Sequence, residues 1–228
     1  MINLDDRLRQ VAACVAISPT VADIGTDHAG LAIYLIENKQ ADKVIAADLN
    51  YEPCEAARRQ IAQHGLTDKI CVRQGDGLSV LVPGEVQVVC MAGMGGELMQ
   101  NILADAPHIL TSLRRLVLQP MNDSPRLRRW LYEHGWHIEA ESIASVRGIF
   151  YAIIAAQPGV KPLPNPTELY VGPELCAKRP LLFKPYVTGL LSKINRARNG
   201  MAQSATAVRT QKYAELAVLA RNLEELIS

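Results

Sequence analysis

Short apolar runs rich in β-branched residues alternate with helical patterns through residues 1–157, and this alternation constrains the fold more than any other feature. Five such runs occupy residues 20–24, 43–48, 69–74, 86–93 and 114–120. Amphipathic stretches separate them, at residues 28–38, 52–64, 96–106 and 125–134. Nearly continuous apolar strands between helices are typical of a parallel sheet that is covered on both faces. The pattern therefore predicts a doubly wound α/β domain.

The pattern changes after the fifth run. Residues 136–146 and 148–157 both have strand character, and Arg147-Gly148 stands at the turn between them. This predicts a Rossmann-like, mainly parallel sheet that ends in an antiparallel strand pair. Class I methyltransferases usually end in this way, whereas a dehydrogenase half-domain more often continues with another βαβ unit. We expect the first domain to span residues 1–157.

A second region begins with a proline-rich segment. Five prolines lie between residues 158 and 173, which predicts a linker there. Residues 185–199 and 201–226 have helical periodicity and are expected to meet at Asn199-Gly200. We therefore predict that residues 158–228 form a linker and an antiparallel, coiled-coil-like helical hairpin.

The charge is distributed unevenly along the chain. The net charge is +1, but residues 175–228 contain nine Lys or Arg and three Glu, a net +6, which leaves −5 for residues 1–174. A basic tail of this kind indicates an anionic partner, although a solvated helical face is the alternative. The bases proposed to contact the anion are Lys178, Arg179, Lys184, Lys193, Arg196, Arg198, Arg209 and Lys212.

Cysteine and histidine spacing argues against disulfides and metals. The five cysteines are scattered and form no CxxC pair, which is typical of reduced thiols in a cytoplasmic protein. The five histidines have no ligand spacing, so no metal site is expected. The longest apolar runs are strand-sized and interrupted by charge, so we expect no membrane span.

The carboxyl ends of parallel strands meet at one edge of a sheet, where ligands bind near the switch point. The residues that follow the first five strands are therefore the candidate site. They are Asp23, Gly25, Thr26, Asp27, His28, Asp48, Leu49, Gly75, Asp76, Gly77, Ala92, Gly93, Met94, Gly95 and Asn122.

The acidic residues in this set favour S-adenosylmethionine over NAD. Asp48 could accept hydrogen bonds from both hydroxyls of a ribose, and Asp76 could accept one from the exocyclic amine of an adenine. Asp27 would repel a pyrophosphate but is compatible with a sulfonium. The alternatives are that Asp27 or Thr26 caps a helix beginning at His28, and that the glycines at 95 and 96 only permit a tight turn.

Several segments, in this order, resemble the bacterial tRNA adenine-N1 methyltransferases that modify adenosine 22. They are "VADIGTDHAGL", "GDGL", "AGMGG" and "LVLQP" followed by "LRRWLYEHGW", and the similarity covers nearly the whole chain. The resemblance implies a Rossmann-like methyltransferase domain and a C-terminal helical hairpin. Two positions depart from the family pattern: Gly30 replaces the usual Tyr, and Met121 precedes Asn122 where the family often has Asn directly.

The resemblance implies that S-adenosylmethionine methylates N1 of an adenosine in tRNA. We expect Asp27 to accept a hydrogen bond from the adenine N6 amine, His28 to contact base or phosphate, and Asn122 to serve as a further site residue. Arg126, Arg128 and Arg129 would hold the tRNA backbone near the base.

Two other functions stay open on the sequence. They are a small-molecule methyltransferase and a non-catalytic RNA-binding or nucleotide-binding module. A helical hairpin can clamp RNA or pair with itself, so both a monomer and a homodimer stay open as well.

Overall fold

The computed structural model describes residues 2–204 and 206–228. The chain divides into two compact units, one that ends at Pro162 and another that spans Leu163–Ser228. The division falls within the proline-rich segment, five residues after the boundary expected from the sequence.

The first unit contains a seven-stranded sheet with the order β3-β2-β1-β4-β5-β7-β6. Strands β1 to β5 are parallel to one another, and β7 runs antiparallel to both β5 and β6. The predicted Rossmann-like sheet with its terminal antiparallel pair is confirmed. The strands are β1 Ser18–Ile24, β2 Ala41–Asp48, β3 Ile70–Gln74, β4 Val88–Met94, β5 Arg115–Pro120, β6 Trp136–Val146 and β7 Ile149–Pro158.

Helices cover both faces of this sheet. Successive residues of β1 show the arrangement, because Val21 belongs to the core cluster on one face and Ala22 to the cluster on the other. Burial on both faces explains why the strands are continuously apolar rather than alternating. The helices are α1 Asp6–Cys14, α2 Gly30–Glu37, α3 Tyr51–Gln63, α4 Gly96–Ala104, α5 Pro107–Leu110 and α6 Ser124–Glu133, with a short 3₁₀ helix at Gly77–Val80.

The regular secondary structure described for the second unit consists of helices. Its helices are α7 Pro166–Val171, α8 Pro173–Lys178, α9 Phe183–Ala202 and α10 Gln211–Ile227, with a 3₁₀ turn at Ala207–Arg209. The expectation of a linker through residues 158–173 was therefore wrong from Pro166 onwards, where helices begin. Pro166 and Pro173 each stand in the first turn of a helix, where proline needs no hydrogen-bond donor. Asn165 and Glu168 form a capping box on α7.

The predicted junction at Asn199-Gly200 was also wrong, since α9 continues through it to Ala202. The chain reverses later, and α10 begins where the Thr210 side chain accepts a hydrogen bond from the Tyr213 amide. Ala205, which the sequence pattern placed in the second helix, lies outside the described residues. The two long helices pack against each other as a hairpin.

Gly200 offers a test of the helix boundary. No atom lies within 4 Å of the position that a Cβ would take there, and the backbone is helical. Gly200→Ala should raise the free energy of unfolding by about 0.5–1 kcal/mol, because alanine loses less conformational freedom in a helix. Urea unfolding followed by circular dichroism measures this change.

The control is Gly172→Ala in the same unit. Gly172 has φ +126°, which an L-residue rarely adopts, so the alanine should destabilise the unit. A loss of stability in Gly200→Ala comparable with that of Gly172→Ala would show that the chain leaves the helix at Gly200.

Candidate active site

The candidate site lies at the carboxyl edge of the sheet, around the neighbouring strands β1 and β4. These strands pair in parallel register, with Asp23 beside Cys90, so the loops that follow them are adjacent. The amides of Gly25 and Thr26 both donate to the carbonyl of Ala47, at 2.8 and 2.9 Å. The chain order reverses at this pair, which is the switch point where open α/β sheets bind ligands.

The loop after β1 presents Asp27 and His28 to solvent. Helix α2 begins only at Gly30, and its N-cap residue is Ala29, which has φ +53° and makes no side-chain cap. The alternative that Thr26 or Asp27 caps this helix is therefore wrong. The Asp27 side chain is 82% exposed, and its Oδ1 lies 3.4 Å from His28 Nε2. The two polar side chains are thus available to a ligand.

Asp23 lies at the end of β1 and is buried. Burial raises the pKa of its carboxyl to about 6, because the charged form loses its hydration. Burial also raises the pKa of the neighbouring Cys90 thiol, so that thiol stays protonated at neutral pH. Cys90 therefore does not provide a thiolate nucleophile.

The loops after β2 and β3 are joined to each other. The Gly75 amide donates to the Asp48 carbonyl at 3.0 Å. Asp48 Oδ1 accepts hydrogen bonds from the amide and the side chain of Asn50, at 2.8 and 3.2 Å, which fixes the plane of the carboxylate. Asp76 is exposed, and its side chain does not cap the following 3₁₀ helix. Both carboxylates therefore stand at the same edge, and hydrogen bonds from Asn50 orient that of Asp48.

The sequence-based set missed two exposed apolar residues at this edge. Tyr51 is 62% exposed and Met121 is 49% exposed. Tyr51 begins α3 directly after Asp48-Leu49-Asn50, and Leu49 is exposed as well. Exposed aromatic and apolar side chains that adjoin polar loops suit the flat face of a base. The position of Tyr51 after a strand-ending acid is the signal that could have identified it.

The loops after β4 and β5 touch through Gly96 and Asn122. The Gly96 amide donates to the backbone oxygen of Asn122 at 3.1 Å and to its Oδ1 at 3.3 Å. A Cβ at Gly96 would lie 2.8 Å from the backbone oxygens of Asn122 and Asp123. Gly96 therefore permits a close approach between two loops rather than only a tight turn, and this approach orients Asn122.

The three arginines of α6 have different surroundings. Arg126 and Arg129 are exposed and form ion pairs with Glu97 and Glu133. Arg128 is 0% exposed, and its Nε donates to Glu141 at 2.8 Å. The prediction that Arg128 contacts tRNA was wrong, because a fully buried guanidinium cannot reach a phosphate.

Most of the predicted basic residues of the second unit are exposed. Arg198 differs, since it is partly buried and its guanidinium lies 5.7 Å from the centre of the Tyr213 ring, which joins α9 to α10. The exposed bases are Lys178, Arg179, Lys184, Lys193, Arg196, Arg209 and Lys212.

Residues 2–204 and 206–228 contain no group of three or more His, Cys, Asp or Glu side chains that could hold a metal ion. Over the same residues, no helix is both long and apolar enough to cross a membrane.

The residues present at the sheet edge fit S-adenosylmethionine. Asp48 and Asp76 provide acceptors for ribose hydroxyls and an adenine amine, and Asp23 and Asp27 are compatible with a positively charged sulfonium. Gly25 and Gly93 have φ of +78° and +82°, a conformation that glycine adopts readily, so the loops after β1 and β4 can turn as they do. The strand order and this site define a class I S-adenosylmethionine-dependent methyltransferase.

A family model described as "Methyltransferase domain" matches residues 4–154. The chain is 34% identical to the tRNA (adenine(22)-N(1))-methyltransferase of Bacillus subtilis, and the match covers 99% of this chain and 98% of the relative. The chain therefore belongs to the tRNA (adenine(22)-N(1))-methyltransferase family.

Solved structures agree with this assignment. The Bacillus subtilis m1A22 tRNA methyltransferase TrmK has a TM-score of 0.89 and 32% identity, with 100% of both chains covered. Streptococcus pneumoniae Sp1610 in complex with S-adenosyl-L-methionine has a TM-score of 0.87 and 31% identity, again with 100% of both chains covered.

The raised pKa of Asp23 predicts a stability change that depends on pH. The folded protein binds an extra proton between the ordinary pKa of 3.8 and about 6, so its stability falls as pH rises through that window. Asp23→Asn should therefore raise the free energy of unfolding at pH 8 by about 1–3 kcal/mol.

The gain should vanish below pH 3.8, where the carboxyl is protonated in both states. Urea unfolding at a series of pH values measures it, and Asp42→Asn, at an exposed position, is the control. Destabilisation by Asp23→Asn at pH 8 would contradict a carboxylate that is costly to bury.

Proposed function

We propose that this protein transfers a methyl group from S-adenosylmethionine to N1 of adenosine 22 in tRNA. The observation that carries the proposal is the match to the Bacillus subtilis enzyme over 99% of the chain, which includes the helical second unit. A small-molecule methyltransferase would share the cofactor loops of the first unit but would not need a basic helical unit. The proposed place of action is the cytoplasm, where tRNA is modified.

The cofactor supplies an electrophilic methyl group on a positively charged sulfur. In the proposed site Asp48 accepts hydrogen bonds from the ribose hydroxyls, and Asp76 accepts a hydrogen bond from the adenine amine. In this proposal backbone groups of the two loops at the switch point contact the cofactor, and Gly25 and Gly93 adopt the positive φ that these loops require. The remaining proposed cofactor contacts are Asp23, Thr26, Leu49, Gly75, Gly77, Ala92, Met94 and Gly95.

Adenine N1 has a free lone pair, so the target needs no strong base to activate it. The enzyme must instead hold N1 in line with the methyl carbon, and orientation of this kind is worth about 7–11 kcal/mol. Asp27 accepts a hydrogen bond from the adenine N6 amine. This contact orients the base and stabilises the positive charge that develops on it as the methyl group is transferred. His28 contacts the base or a phosphate from the neighbouring position, and Asn122 is a further proposed site residue, held beside Gly96.

The N1 edge is engaged in a paired base, so the target nucleotide must leave its stack. This costs a few kcal/mol, which contacts with the tRNA backbone offset. In this proposal exposed bases of the second unit hold tRNA phosphates, and Arg126 and Arg129 of the first unit hold the backbone near the target base. The apolar side chain of Met121 provides a surface beside Asn122 for the extruded base.

The direct test uses purified protein, labelled S-adenosylmethionine and two tRNA transcripts that differ only in A or G at position 22. After digestion, labelled 1-methyladenosine should appear with A22 and not with G22. Equal labelling of both transcripts would overturn the position, and cofactor binding without labelled tRNA would favour a small-molecule substrate.

Removing the charge of Asp27 tests its proposed role. Asp27→Asn should lower kcat by about 10²–10³-fold, because an amide stabilises the developing positive charge poorly. The affinity for S-adenosylmethionine should stay within about threefold of the unchanged protein. Single-turnover methylation and calorimetric cofactor binding measure the two effects.

Asp42→Asn is the matched control, since Asp42 is exposed near the amino end of β2. Near-normal turnover in Asp27→Asn would refute the role. A loss of cofactor affinity in proportion to the loss of kcat would reassign Asp27 to cofactor binding.

The exposed bases of α9 should make tRNA binding depend on salt. Lys193→Gln with Arg196→Gln should reduce the slope of log K against log salt by about 1–2 between roughly 50 and 200 mM, because each phosphate contact releases counterions. Fluorescence anisotropy with labelled tRNA measures the slope.

The control removes the same charge from the first unit with Lys43→Gln and Lys69→Gln. Both lysines are exposed near the amino edge of the sheet, opposite the site. Binding that stays flat with salt, or an equal effect of the two pairs, would rule out phosphate contacts through α9.

A further inference from the structure

Strand β4 contains an irregularity where it enters the site. Ala92 pairs with Gln119 of β5 and Met94 pairs with Pro120, so Gly93 is an extra residue without a partner in the ladder. Its φ of +82° is typical of glycine in a bulge. Bulges next to functional sites redirect the chain, and this one sets the start of the loop that we assign to the cofactor.

A buried glutamine satisfies the Gly93 amide that the bulge leaves out of the ladder. Gln119 is fully buried, and its Oε1 accepts a hydrogen bond from the Gly93 amide at 3.1 Å. Its Nε2 donates to the Pro120 carbonyl at 3.1 Å. Because both ends of the side-chain amide are engaged, its oxygen can point only towards the bulge.

The same oxygen accepts a second hydrogen bond from the first helix. Arg7 Nη1 donates to Gln119 Oε1 at 2.6 Å, and the Arg7 side chain is mostly buried. Arg7 lies 112 positions from Gln119 in the chain. A charged donor makes a short and strong hydrogen bond, so Arg7 holds Gln119 more firmly than a neutral donor would.

The bulge also affects the loop after β1. The Met94 side chain packs so closely against Gly25 that a Cβ at that position would overlap its terminal methyl group. A change in the backbone at Gly93 would therefore move the side chain that packs under Gly25. One contact chain joins Arg7, Gln119 and Gly93 to both loops at the switch point.

We propose that Arg7 is a positioning residue for the methyl-transfer site, and that it acts through Gln119 on the bulge at Gly93. The proposal rests on the proposed function for its effect on turnover. Val11 and Ala12 of α1 are buried, so this helix is attached to the core at points other than Arg7. Arg7 Nη2 also lies 3.8 Å from Asp5 Oδ2 at the N-cap of α1, so the hydrogen bond from Nη1 to Gln119 joins the start of this helix to the bulge.

The test compares Arg7→Met, Arg7→Lys and Gln119→Met with Arg9→Met, which removes an exposed arginine of the same helix. In protein without cofactor, Arg7→Met should speed hydrogen exchange of the amides at residues 91–96 by about tenfold. Its affinity for S-adenosylmethionine and its kcat should each fall about tenfold, with the KM for tRNA unchanged. Arg7→Lys should restore most of the loss, since one donor to Gln119 suffices.

Combining Arg7→Met with Gln119→Met should cost no more than Gln119→Met alone, because both residues act through one contact. Additive losses, or normal exchange and cofactor affinity in Arg7→Met, would overturn the proposal. A lower melting temperature with unchanged exchange at residues 91–96 would show a purely structural role. Because exchange and cofactor binding need no tRNA, failure of the proposed substrate leaves these two results intact.

Discussion

The parallel pairing of β1 with β4 is the constraint on which the site depends. It places Asp23 beside Cys90, so that the two strands end together and their loops open at the same edge. Parallel neighbours need crossover connections, and here the chain passes to one side for β2 and β3 and to the other for β4 and β5. The loops after β1 and β4 are adjacent because the chain order reverses between these two strands.

Charged residues of the same type in the first unit differ in burial, and burial decides what each can contact. Successive helical residues are rotated by about 100°, so neighbours on α6 face different environments. Arg128 points into the core and pairs with Glu141 of β6, whereas Arg126 and Arg129 lie at the surface. Two acids near the end of β1 differ in the same way: Asp23 in the strand is buried with a raised pKa, and Asp27 in the following loop is exposed. The contacts proposed with tRNA are therefore those of the exposed side chains, Asp27, Arg126 and Arg129.

The regular elements could be predicted because their signals are local. Strand and helix patterns in residues 1–157 gave the sheet and its covering helices, and the turn at Arg147-Gly148 appears where the composition places it. The sequence patterns gave wrong helix boundaries where a glycine or a proline is compatible with a helix as well as with a loop. Asn199-Gly200 predicts a helix end, yet α9 continues through Gly200 to Ala202. Prolines 166 and 173 were read as linker residues, yet proline in the first turn is compatible with a helix.

The sequence by itself determined the doubly wound sheet and the acids at the carboxyl ends of its strands, because periodicity and the residues that follow each strand are local features of the chain. Only the tertiary structure decided which side chains reach that edge. The bulge at Gly93, the buried Gln119 beneath it and the contact from Arg7 join residues up to 112 positions apart. Such contacts depend on how the core packs in three dimensions, and no local pattern specifies them.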